Sequence, residues 1–120
     1  MQAGHLVLDL AGHMRGIDQH FCTIMRAQWS DMIGRPVLDI TAPADRDECG
    51  EAIRTLCESG RSFKIDKRFI RDDQTLVWVT NTVSLMQGTG GADMIVATID
   101  PLIADDERQP ALLLGGARFL

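Results

Sequence analysis

A change in the spacing of apolar residues at Gly60 constrains the fold more than any other feature of this sequence. Before it, within segment 45–59, apolar residues recur at i, i+3, i+4, i+7 and i+8, which is one face of an amphipathic helix. These residues are Cys49, Ala52, Ile53, Leu56 and Cys57. Gly60 is well placed to end the helix, and Asp45 with Glu48 predicts a capping box at its start. After Gly60 the spacing becomes two, which indicates strands.

Three consecutive antiparallel strands are predicted after Gly60. The first is SFKIDKRFIR (62–71), and a tight DDQT turn joins it to LVWVTNTVSLM (76–86). A glycine-rich loop then leads to MIVATID (94–100), whose nearly continuous apolar run is typical of a strand near the centre of a sheet. The side chains predicted to share one face of the first strand are Phe63, Ile65, Lys67 and Phe69.

The N-terminal half is predicted to add a hairpin and several short helices. HLVLDL (5–10) and MRGID (14–18) read as two paired strands. Asp18 can cap the helix that follows it, and SDMIGRPVLDIT (30–41) indicates two single helical turns. We therefore predict an α+β fold, with a five-stranded antiparallel sheet and a cluster of short helices packed on one face.

The 120 residues suit one domain, with a C-terminal tail at 102–120. The tail contains an apolar run at 112–114 and ends on Phe119 and Leu120, which are too apolar to remain in water. We expect it to pack on the sheet of its own chain or on a partner subunit.

Four motifs in this order resemble those of PAS domains, in the subgroup typified by sensory-box signalling proteins. VLDLAGHMRGID resembles the opening hairpin, with Asp9 and Gly12 at the motif positions. MIGRPVLDITAPADRDE and SGRSFKIDKRFIRDDQTLVWV resemble the segments before and after the long helix, and VATIDPL resembles the closing strand. The motifs that carry the resemblance extend over about 4–101. The resemblance identifies residues 1–101 as a PAS-like sensor domain. The chain departs from the motifs at Asp18, Ala42, Ala44, Gln74 and Pro101, where the family has Asn, His, Asp, Gly and Ile.

The resemblance implies a non-catalytic sensory and dimerisation module of a bacterial-type signalling protein. Its expected partners are a second copy of the chain and an output domain or signalling protein, such as a histidine kinase or a diguanylate cyclase. A protein-interaction domain with a filled core is one alternative. A small α+β enzyme of steroid-isomerase-like shape is the other, although such folds usually begin with a long helix and this chain begins with a hairpin.

In PAS domains a pocket that holds small ligands lies between the sheet and the helices. The residues expected here at its wall, which equally suit a filled core, are Phe21, Met25, Leu38, Ile53, Leu56, Cys57, Phe69, Val79 and Asn81. Asn81 and Arg68 would supply polar groups to a mostly apolar pocket. Asp100 and Pro101 mark the expected exit of the signal at the end of the last strand.

No flavin, haem or metal is expected as a cofactor, and an unidentified small molecule is the remaining ligand class. The flavin-attaching motif GxNCRFLQ is missing, since the corresponding region reads MIGRPVLDI. The helix 45–59 carries no histidine for haem; His5, His13 and His20 lie elsewhere and are interpreted as exposed or locally hydrogen-bonded. The three cysteines lack CxxC spacing, and free cysteine usually behaves as a small apolar core residue.

Charge and hydropathy narrow the partners further. The net charge of −5 and the absence of a basic stripe argue against nucleic acid and anionic membranes. Apolar runs such as MIVATI are far shorter than the roughly 20 residues of a membrane helix. We therefore expect a cytoplasmic protein that does not bind membranes.

Overall fold

A computed structural model describes residues 2–91 and 93–102 of this chain. Its helices and strands follow one another in the order predicted from the sequence. The strands are β1 (Gly4–Leu8), β2 (Met14–Ile17), β3 (Phe63–Ile70), β4 (Leu76–Met86) and β5 (Met94–Pro101). The helices are α1 (Gln19–Met25), α2 (Trp29–Met32) and α3 (Arg46–Ser59), with single 3-10 turns at Val37–Ile40, Pro43–Asp45 and Thr89–Gly91. The predicted packing of the tail concerns residues that lie, apart from Leu102, outside the described ones. Within the described ranges, no helix is long and apolar enough to cross a membrane.

The five strands form one antiparallel sheet in the order β2-β1-β5-β4-β3. The apolar β5 therefore occupies the centre, as its composition predicts. β3 is an edge strand, and Thr41 and Ala42 partly cover that edge, because Thr41 pairs with Phe69 and the Ala42 N–H donates to the Arg68 carbonyl at 2.9 Å. The predicted fold class, an α+β fold with helices on one face of the sheet, is confirmed.

The core lies between the inner face of the sheet and the helices. Alternation along β3 and β4 places Phe69, Val79 and Val83 inward, where all three are buried. Phe21 of α1 meets Phe69 edge-to-face, with 5.5 Å between ring centroids, an arrangement that aromatic pairs prefer. Gly60 ends α3 in the left-handed conformation with φ of 73°, as predicted.

Asp18 fixes α1 against β1. Its carboxylate accepts the Phe21 N–H at 2.9 Å, which caps the helix, and the His5 N–H at 3.1 Å. Burial raises the pKa of Asp18, but these hydrogen bonds and the His5 side chain outweigh it and hold the pKa below its ordinary value. The approach is so close that a Cβ at Gly4 would lie 2.7 Å from the Phe21 Cα. Only glycine fits at that position without a shift of backbone.

Two turns explain positions in the PAS-like motifs. β1 ends at Leu8 rather than at Leu10 because the Asp9 carboxylate accepts the N–H groups of Ala11 and His13 and so holds a turn. In the β3–β4 turn, Gln74 stands where the motif has glycine and adopts φ of 72°. A side chain is strained in that left-handed region.

Candidate ligand cavity

A small cavity lies in the core between α3 and the sheet. The space open to the centre of a water molecule is about 20 Å³, which is room for about one water. Most of its wall is apolar, and two side chains, Lys67 and Asn81, bring polar groups to it. The lining residues are Leu6, Leu8, Val37, Cys49, Ile53, Phe63, Ile65, Lys67, Asn81, Val83 and Ala97.

Lys67 is the least expected residue of this cavity. The alternation of β3 puts it on the inner face, and only 3% of it is exposed. Its ammonium donates to the Thr41 hydroxyl at 3.1 Å and to the Cys49 sulfur at 3.0 Å, and lies 4.6 Å from the Phe69 ring centroid. The sequence pattern places Lys67 on the apolar face of β3, but it was missed as a site residue because lysine is rarely buried. The signal in the sequence that could have identified it is the position of this lysine on the same face of the strand as Phe63, Ile65 and Phe69.

Asn81 contributes the second polar group. It lies on the inner face of β4, where its backbone is paired with Ile65 and Ile99. Only 3% of the residue is exposed. Its side-chain nitrogen is buried and has no hydrogen-bond partner among the described residues. Leaving a buried donor unpaired costs about 1–3 kcal/mol. The amide is therefore available to a molecule in the cavity.

A charged contact holds the start of α3 against β3. The Asp45 carboxylate accepts from the Arg68 backbone N–H at 2.8 Å, from Nε at 3.0 Å and from Nη2 at 2.8 Å. The predicted capping box is therefore wrong: Asp45 ends a 3-10 turn with helical backbone angles, and its side chain makes no cap. Burial raises the pKa of Asp45, but the hydrogen bonds from Arg68 outweigh it and keep the pKa below its usual value.

A surface groove of about 270 Å³ adjoins the cavity, and the side chains of Val37 and Ile53 contribute to both. Leu38 and Cys57 line the groove rather than the cavity. Cys57 was expected to face the interior, yet it is exposed. The reason is that the buried stripe of α3 is narrow: Cys49 and Leu56 are its buried members, so the last position of the pattern falls on the rim.

The predicted pocket residues thus divide by position. Ile53 and Asn81 line the cavity, and Leu38 and Cys57 line the adjoining groove. The others lie in the packed core outside the cavity wall; they are Phe21, Met25, Leu56, Phe69 and Val79. The polar groups that meet at the cavity come from the middle of β3 and β4, whereas the prediction concentrated on large apolar side chains.

The predicted exit lies at the end of β5. Asp100 is exposed opposite Thr80, and Pro101 pairs with Val79 in the last register of the strand. Leu102 continues the ladder by donating to the Trp78 carbonyl at 3.0 Å, which makes Pro101 and Val79 a non-hydrogen-bonded pair, where the missing N–H of proline leaves no gap in this ladder. On the outer face of the sheet, the Arg68 guanidinium lies 5.0 Å from the Trp78 ring centroid. Arg68 therefore contacts both the start of α3 and the strand beside the exit.

In a comparison with known families, the family described as the PAS fold matches residues 16–99 of this chain. Comparison with curated proteins finds no match. No group of three His, Cys, Asp or Glu side chains suited to a metal occurs in residues 2–91 and 93–102.

Solved structures similar to this chain include three PAS domains. The domain of an HTR-like protein from Haloarcula marismortui is 18% identical, with a TM-score of 0.70 over 83% of this chain and 81% of that chain. A domain from Colwellia psychrerythraea is 17% identical, with a TM-score of 0.71 over 82% and 85%. Cycle PAS-B from Drosophila melanogaster, with bound ethylene glycol, is 12% identical, with a TM-score of 0.76 over 82% and 99%. At these identities the likeness shows the fold alone.

Proposed function

Because this chain belongs to the PAS fold family, we propose that it is a non-catalytic sensory module that detects a small molecule in the cavity beneath α3. PAS domains are generally sensory and signalling modules. The observation that carries the proposal is the pair of buried polar side chains, Lys67 and Asn81, at one cavity. The Cycle PAS-B structures with bound ethylene glycol or glycerol are examples of small polar molecules bound by the fold.

Burying these two side chains is costly for the fold. Removing an ammonium group from water carries an effective penalty of several kcal/mol, and the Asn81 nitrogen adds an unpaired donor. Apolar residues of similar size at both positions would avoid these costs. A mostly apolar cavity with a few convergent polar groups is the usual form of a small-molecule site. Recognition of a ligand supplies a reason for retaining both side chains.

We propose that movement of α3 carries the signal. α3 is attached to β3 through the Cys49–Lys67 contact beside the cavity and through the Asp45–Arg68 contact at its start. A ligand that engages Lys67 changes the first contact, and Arg68 connects the second to Trp78 and the strand end. Asp100 and Pro101 would then pass the change to an output domain or partner protein, such as a histidine kinase or a diguanylate cyclase.

The exposed apolar residues support the proposed homodimer. Among the described residues, large apolar side chains are exposed at Leu10, Trp29, Met86 and Leu102, and Trp29 is 53% exposed. Aromatic residues are enriched in the centres of protein interfaces. Sedimentation velocity on the wild type and on Trp29→Gln tests this part of the proposal, and an unchanged monomer at high concentration would contradict it.

The second candidate is a protein-interaction domain with a filled core, and the cavity volume favours it. A space of about 20 Å³ accommodates one water and no organic molecule unless side chains move. The match to the PAS fold favours both candidates over the small enzyme, since that alternative depended on a different fold.

Mass spectrometry of small molecules released from freshly purified, denatured protein tests the sensor proposal. An absorption spectrum of the intact protein accompanies it, since visible bands would reveal flavin or haem. We expect a released molecule, or a small-molecule panel that shifts the amide resonances of Ile53, Lys67 and Asn81. If nothing is released and no compound shifts these resonances, the interaction domain is the better description.

A further inference from the structure

We propose that the cavity binds the head group of a small monocarboxylate, with Lys67 and Asn81 as the donors. This inference rests on the proposed sensor function and names the chemistry of its ligand. It follows from the buried hydrogen-bond donors of these two side chains, which the described residues satisfy only in part.

The donors of Lys67 are incompletely used. An ammonium group has three N–H donors and no acceptor. Two of its partners are the neutral Thr41 hydroxyl and Cys49 sulfur. Thr41 in turn donates its own proton to the Val37 carbonyl at 3.0 Å, so its hydroxyl is held in position to accept. One donor of Lys67 is left for another molecule.

The charge of Lys67 also has no close counterion. No carboxylate among the described residues lies within ion-pair distance of its nitrogen. Asp45 is near enough to respond to the charge of Lys67 but is occupied by three hydrogen bonds from Arg68. A buried cation without a counterion favours an anionic ligand.

Asn81 specifies the acceptor character of the ligand. Asn81 lines the same cavity, and its buried side-chain nitrogen has no hydrogen-bond partner among the described residues. A carboxylate has two oxygens that only accept, so its chemistry suits both the Lys67 ammonium and the Asn81 amide N–H₂ group. A neutral alcohol satisfies the donors less well, because it brings no negative charge.

The walls limit the rest of the ligand. The space has room for about one water, so a carboxylate head group enters it only when neighbouring side chains move. Its apolar rim is formed by half-buried Ile53 of α3 and by Phe63 and Ile65 of β3. A short aliphatic chain would lie among these apolar side chains. Additional charged groups on the ligand would be unfavourable there, because the side chains offer them no partner. The apolar rim therefore favours a short aliphatic monocarboxylate, represented below by butyrate, over a phosphate or a polycarboxylate.

NMR titration of the whole chain with sodium butyrate tests the assignment, with butyramide as the neutral isostere and ionic strength held constant with sodium chloride. The readout is the side-chain NH₂ resonance of Asn81. We expect saturable binding of butyrate, at least tenfold tighter than that of butyramide. Lys67→Met should remove this preference. Lys64→Met is the matched control, because Lys64 lies on the opposite, exposed face of β3, and it should bind as the wild type does.

A second variant keeps the test decisive if Lys67→Met does not fold. Asn81→Asp introduces a carboxylate at the wall of the same cavity and should weaken butyrate binding at least tenfold, followed in this variant through the backbone amide resonances of Ile53 and Lys67. Equal binding of butyrate and butyramide, or retained preference in either variant, would overturn the carboxylate assignment. Binding of neutral compounds alone would also overturn it, yet would leave the sensor proposal in place. Absence of binding by every compound, with nothing released from the purified protein, would reject both.

Discussion

The contact between Asp45 and Arg68 offers the sharpest test of how α3 is held on the sheet. We consider the replacement Asp45→Asn, which keeps the size of the side chain but removes its charge. The wild-type carboxylate accepts three hydrogen bonds from Arg68, and the two side chains are only 15% and 21% exposed. Asparagine retains one acceptor oxygen and turns an N–H₂ group toward a guanidinium that can only donate.

The expected cost follows from those contacts. Hydrogen bonds to charged groups contribute about 1.5–3 kcal/mol each, and partial exposure places these at the lower end. Loss of about two of the three contacts should lower the free energy of unfolding by about 2–3 kcal/mol. For a domain of this size that corresponds to a fall in Tm of about 10 °C or more.

Urea unfolding of Asp45→Asn, Arg68→Gln and the double variant measures the effect as a double-mutant cycle. Arg54→Gln is the control, since it breaks the exposed Glu51–Arg54 pair and should cause no measurable change. We expect a coupling energy above about 1 kcal/mol between the two mutated positions. A loss below about 0.5 kcal/mol in Asp45→Asn, or zero coupling, would refute the reasoning.

The pH dependence of the same comparison provides an independent check. The folded pKa of Asp45 lies below its ordinary value of 3.8, so the contact stabilises the fold fully above the unfolded pKa and less as pH falls through the folded pKa. The difference in stability between wild type and Asp45→Asn should be constant near neutrality and shrink only below about pH 4. Asp9 and Asp18 also have lowered pKa values, but they are common to both proteins and cancel.

Further substitutions test other contacts through the free energy of unfolding, each measured by urea denaturation. Lys67→Met should leave it unchanged or raise it by about 1–2 kcal/mol, because a buried cation without a counterion is removed; a loss above about 1 kcal/mol would make Lys67 a structural residue. Gln74→Gly should raise it by about 0.5–1 kcal/mol by relieving the positive φ, whereas Gln74→Ala should not. Gly4→Ala should lower it by about 1–3 kcal/mol, since the new Cβ meets the backbone of Phe21. Gly50→Ala, within α3, should raise it by up to about 1 kcal/mol, and equal effects at the two glycines would contradict the packing argument.

Local patterns were sufficient to predict the strands and the long helix. The alternation in β3 and β4 and the stripe of α3 each extend over many residues, so burial and periodicity agree. Gly60 and Asp18 were predicted correctly as helix ends because their roles depend on neighbouring backbone groups alone. Pattern thus sufficed wherever the relevant contacts are close in sequence.

The polar contacts of the cavity depend on residues far apart in sequence, and this is why pattern did not reveal them. Asp45 satisfies the rule for a cap, but Arg68, 23 residues further on, offers it three donors and a charge. Lys67 meets Cys49 only after β3 pairs with β4 and α3 folds across the sheet. The PAS resemblance implies the pocket, and the position of Asn81 in the middle of the predicted strand 76–86 assigns it there. The separation of partners in sequence therefore limited the prediction, and at Lys67 the rarity of buried lysine added to it.

The exposure of Cys57 gives the chain a built-in attachment point for a probe. The other two thiols, Cys22 and Cys49, are buried, and burial together with Asp18 raises the pKa of Cys22, so maleimide reagents should modify Cys57 first. A nitroxide or fluorophore placed there sits on α3 without any substitution. Such a label would follow the displacement of that helix in real time as candidate compounds are added. The slower modification of the two buried thiols would measure the rate at which the core opens to the reagent.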